Sequence, residues 1–61
     1  MTDLTELELQ NIRHLITGYE TSHDKMTEYA EKASDKNLQQ FFNKSAQSAL
    51  DNKQELMRFL G

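Results

Sequence analysis

Apolar residues recur along the first half of the chain at helical spacing: Leu9, Ile12, Leu15, Ile16, Tyr19, Met26, Tyr29, Ala30 and Ala33. At about 100° per residue they fall in one stripe roughly 100° wide, as in a helix that buries a single face. Only Ser22 and His23 interrupt it. Upstream, Thr5 and Glu8 have the S/T-x-x-E spacing of a capping box, in which each side chain satisfies an orphan N–H of the other. Leu4 and Leu9 hold the two positions of a hydrophobic staple. The pattern predicts a helix over residues 5–33 and makes Glu8 a cap rather than a ligand. Gly18 lies off the stripe and weakens the helix by about 1 kcal/mol against Ala.

At Ser34 and Asp35 the pattern breaks, with no Pro or Gly nearby, and capping oxygens appear instead. A second helix is expected from residue 36 to about 60, with Asp35 as N-cap and Gly61 past the end. Its central stripe reads Leu38, Phe42, Ser45, Ala46, Ala49, Asn52, Lys53, Leu56, Leu60: bulky at the ends, small or polar in the middle. Phe41 and Phe59 lie on one shoulder, Leu50 and Met57 on the other. This arc spans more than half the helix circumference, too much for one neighbouring helix, and predicts two interfaces. Folding about Ser34 sets Met26 against Phe42, Tyr19 against Leu50, Ile12 against Met57, Leu9 against Leu60, and His23 against Ala46. Large side chains then meet small ones, as close packing of long helices requires.

At 61 residues the chain makes one domain at most, with a core barely adequate to hold it. No Cys is present, which excludes disulfides and thiolate metal sites. Self-association is the remaining support, and two hairpins related by a two-fold axis would close into a four-helix bundle. A net charge of −3 with mixed signs argues against nucleic acid, which favours a basic stripe. No apolar run approaches the roughly 20 residues of a membrane span. The acidic opening Met-Thr-Asp-Leu-Thr is unlike a secretory signal, so a cytoplasmic location is expected.

One motif has chemical meaning. Glu20 and His23 stand three apart on a helix and point the same way; Glu-x-x-His supplies ligands in di-iron bundles. A metal site also needs donors from the facing helix, and the residues opposite His23 are Ser45, Ala46 and Ala49, which are poor ligands. The simpler reading packs His23 over alanines, hydrogen-bonded to Ser22, Ser45 or a water. His14 sits on the polar face, and Tyr19 and Tyr29 read as core residues with wet hydroxyls. Met1, Met26 and Met57 are too scattered to form a Met-rich groove. Glu28 and Lys32 have the favourable i, i+4 order of an ion pair. No nucleophile–base arrangement can be assembled, so no enzyme and no cofactor are expected.

The stretch Tyr29-Ala-Glu-Lys-Ala-Ser-Asp-Lys-Asn-Leu-Gln-Gln-Phe-Phe42 resembles the helix–turn–helix segment of small spore-coat-F-like proteins of endospore-forming bacteria, short members of the ferritin-like, rubrerythrin-related group. Leu4-Thr-Glu-Leu-Glu-Leu9 is similar to that family's opening Leu-Thr-x-x-Glu-Leu, and Leu56 fits its recurrent apolar position. The resemblance implies a ferritin-like bundle and a spore-associated protein. Family members usually carry Pro where this chain has Lys36, and many carry a carboxylate and a His where it has Ala49 and Asn52. Glu20 falls where the family often has a first-helix Glu.

The expectation is therefore an all-α antiparallel two-helix hairpin that dimerises, or forms a higher homo-oligomer, as a four-helix bundle. Its function would be non-enzymatic, structural or interactive. The self-association residues would be Phe41, Leu50, Met57 and Phe59, with Ala46 and Ala49 allowing close approach. The alternatives are a metal-binding ferritin-like bundle using Glu20 and His23, and a small regulatory hairpin that docks on a signalling protein.

Overall fold

A computed structural model describes residues 4–60. Met1, too isolated in the pattern to join a groove, and Gly61, placed past the end of the second helix, lie outside the described residues. Helix α1 runs Glu6–Lys32 and helix α2 runs Lys36–Met57, and the two pack side by side as an antiparallel hairpin.

Both helices start where their caps predict. The Thr5 hydroxyl oxygen accepts from the Glu8 N–H at 3.1 Å, and Glu8 Oε1 accepts from the Thr5 N–H at 2.9 Å, completing the capping box. The staple residues Leu4 and Leu9 are both half-buried. Asp35 Oδ1 accepts from the Leu38 N–H at 2.9 Å, so this carboxylate begins α2 and limits the turn to Ala33, Ser34 and Asp35. Gln39 tightens the same turn, its Nε2 donating to the Ala33 carbonyl at 2.8 Å. That carbonyl would otherwise be an orphan of the α1 C-terminus.

The far end of α2 differs from expectation. Phe59 N donates to Leu56 O at 3.0 Å and Leu60 N to Met57 O at 3.1 Å. This i→i+3 geometry tightens the last turn and ends the α-helix at Met57, short of residue 60.

The core is thin. The buried residues are Ala30, Ala46 and Ala49, at 6%, 5% and 7% exposure. Around them Ile12, Ile16, Met26, Phe42 and Leu56 are half-buried. Leu15, Tyr29 and Leu38, assigned to the stripe by periodicity, are largely exposed. They sit on its shoulders, beyond what a single neighbouring helix covers. The molecule measures 46 × 16 × 12 Å with a radius of gyration of 14.3 Å. A compact domain of this length would have about 10.5 Å.

Candidate functional site

The line of contact between α1 and α2 leaves two broad faces, and the groove beside each has its own chemistry. Along one face a shallow groove of about 400 Å³ is lined by Tyr19 and Ser22 from α1 and by Phe41, Lys44, Ser45, Ser48, Ala49 and Asn52 from α2. Seven residues are about two helical turns, so Leu15 and Tyr29 flank Ser22 on this face, and Leu38 flanks Ser45. Near the turn the face is aromatic. The Tyr29 and Phe42 rings lie 5.4 Å apart, and Phe42 meets Phe41 edge-on at 5.7 Å. Such tilted arrangements suit the ring quadrupoles. Phe41 is nevertheless 61% exposed.

The opposite face is polar where the helices meet. Glu20, His23, Asp24, Leu50 and Lys53 line a small hollow of about 90 Å³. His23 Nδ1 lies 3.0 Å from the Ala46 carbonyl oxygen, and Lys53 Nζ donates to Glu20 Oε2 at 3.3 Å. Periodicity sets His23 against Ala46, as observed. The hydrogen-bond partner of Nδ1 is the Ala46 backbone carbonyl rather than the Ser22 or Ser45 side chain. Because a carbonyl only accepts, Nδ1 carries the proton and, in the neutral ring, Nε2 keeps a lone pair.

Glu20 and His23 line the same hollow, each with a different partner, Glu20 with Lys53 and His23 with the Ala46 carbonyl. The ammonium of Lys53 already pairs with the Glu20 carboxylate. Among the described residues no group of three or more His, Asp, Glu or Cys could hold a metal ion.

Ala46 and Ala49 are buried within a single hairpin, so their small size serves the approach of α1 to α2. Phe41, Met57 and Phe59 are exposed, and Leu50 is half-buried at the edge of the polar hollow. The structure thus spreads the expected self-association residues over both faces. Sequence reading missed the Lys53–Glu20 ion pair, although the antiparallel register and the opposite charges carried its signal. The Gln39–Ala33 bond had no such signal, because it depends on the path of the turn.

Clear shifts in titration fall on exposed side chains of α1. Glu8 is held below the usual carboxylate range by the hydrogen bond from the Thr5 backbone and then by the Thr5 hydroxyl. The hydrogen bond and charge of Lys32, 2.8 Å away, lower Glu28 and raise Lys32 in return.

No helix among the described residues is long and apolar enough to cross a membrane. Comparison with protein-family models, curated proteins and solved structures finds no match to this chain.

Proposed function

We propose that the chain is a non-enzymatic structural or interaction protein whose hairpin self-associates, two copies closing into a four-helix bundle. The observation that carries this reading is an excess of surface. The chain exposes 5040 Å², whereas a compact monomer of 7.1 kDa exposes about 4,100 Å². The difference is roughly one side of a standard protein interface, about 800 Å². Much of that surface is apolar: Leu7, Leu15, Tyr29, Leu38, Phe41, Met57, Phe59 and Leu60 are all exposed. Among the described residues the fully buried side chains are alanines, with larger apolar residues half-buried around them, too little burial to hold two long helices together unaided. Phe41 and Phe59, on one shoulder of α2, would carry the association, with Ala46 and Ala49 setting the width of the hairpin that presents them, whereas Leu50, with Met57 on its shoulder, borders the polar face.

Sedimentation equilibrium at micromolar concentration tests the reading. A dimer or larger homo-oligomer is expected, and a stable, well-folded monomer overturns it. Circular dichroism separates the regulatory alternative, in which the free chain is poorly helical and gains helix on a larger protein. Stoichiometric iron, manganese or zinc in protein purified without chelators would favour the metal-binding bundle instead. The resemblance of residues 29–42 to spore-coat-F-like proteins supports a spore-associated setting; mass spectrometry of purified spores checks it.

A further inference from the structure

We infer that the second copy covers the face bearing Leu15, Ser22, Tyr29 and Phe41, and that the two hairpins lie with their turns at opposite ends. This rests on the self-association proposed above and specifies its geometry.

The choice of face follows from charge and desolvation. Burying the other face would take the Lys53–Glu20 ion pair and Asp24 out of water, which disfavours association unless each charge gains new partners. The groove face has aromatic and aliphatic side chains toward its ends and serines between them, with Lys44 as the one charged side chain in its lining. Burying it brings apolar surface together at little polar expense.

The direction follows from self-complementarity. Two face-to-face hairpins can be related by a two-fold axis along the helices or across them. An axis along the helices places α1 over α2 of the second copy in the same register as within the hairpin, where His23 lies beside Ala46. Lys25, one turn from both Ser22 and Tyr29, then meets Lys44 of the second copy, and like charges repel across the seam. An axis across the helices through Ser22 places each helix antiparallel on its own counterpart. Leu15 and Tyr29, seven residues either side of Ser22, then pack on each other between copies. Ser22 meets Ser22, where small side chains let the backbones approach. On α2 the same axis passes near Gln47 and brings Lys44 to the level of residue 50 of the second copy, one residue from Asp51. The apolar ends of α1 meet, and the α2 lysine comes near an opposite charge.

Because the chain has no Cys, single introduced thiols report without interference. With a nitroxide on Ser34→Cys, at the exposed turn, the two labels should lie about 36 Å apart, twice the rise of twelve residues from the axis. A separation under about 20 Å, two helix diameters, overturns the direction. Ser22→Cys should oxidise to a covalent dimer, whereas Asp24→Cys, on the polar face, should not; the reverse pattern overturns the choice of face. Either of these failures leaves self-association standing. A folded monomer in the sedimentation experiment removes both.

Discussion

The Nδ1 of His23 lies 3.0 Å from the carbonyl oxygen of Ala46, a hydrogen bond from a side chain of α1 to the backbone of α2 across the middle of the hairpin. The acceptor sits in mid-helix, so the ring nitrogen adds a donor to a carbonyl that the helical ladder already uses. The bond is directional, and Ala46 has no side chain large enough to block it. It fixes the axial register of the helices more sharply than alanine packing could.

Replacing that ring tests its share of stability. His23→Ala removes the hydrogen bond and half-buried ring surface but leaves no orphan acceptor, so a loss of about 1–2 kcal/mol is expected. The midpoint of urea unfolding, followed by helical circular dichroism, measures it. An unchanged midpoint would show that the bond does not hold the register.

Enlarging a buried alanine should do more harm. Ala49 is 7% exposed, and Ala49→Leu adds three carbons at a buried position. A loss of about 1–3 kcal/mol is expected from overpacking. A leucine at exposed Gln40, which lines neither groove, should leave stability nearly untouched and is the control for thermal unfolding of the two variants.

Acid should loosen the start of α1. Glu8 is depressed below its ordinary 4.5 by Thr5, so the unfolded chain binds its proton more readily than the folded one. Its contribution is complete above pH 4.5 and is lost as pH falls through the lower folded value. Glu28, depressed by Lys32, acts in the same direction. Glu8→Gln keeps a residue able to complete the capping box but removes the titration. The fall in unfolding midpoint between neutral and acid pH should therefore shrink in that variant, and an identical acid limb would refute the assignment.

Gly18 is a position where stability can be gained. A Cβ built there meets nothing within 4 Å in the hairpin, and the residue lies inside α1. Gly18→Ala should stabilise the helix by about 1 kcal/mol through lower backbone entropy in the unfolded chain. Thermal unfolding reads this as a raised midpoint; a lowered one would mean that the glycine admits a close neighbour from another copy.

Much of the hairpin is legible from residue types because its determinants are local. Thr5 with Glu8 and Asp35 with the Leu38 N–H need only neighbours one turn away, and they mark both helix starts correctly. The end of α2 is less legible, since Arg58, Phe59 and Leu60 remain compatible with a helix until the last turn tightens. The candidate site divides in the same way. Periodicity sets His23 opposite Ala46, but the choice of a backbone carbonyl over Ser22 or Ser45 depends on where the ring lands after packing.

By itself, then, the sequence determined two helices, their caps, the turn between them and an apolar arc wider than one neighbour can cover, because hydrophobic period and capping chemistry act within a few residues. The tertiary structure decided which parts of that arc are spent inside the hairpin and which remain outside. Closing α1 on α2 buries Ala30, Ala46 and Ala49, ties Glu20 to Lys53 on one face, and leaves Leu15, Tyr29 and Phe41 exposed on the other. That division depends on the rotation of each helix about its axis, which only their mutual packing sets.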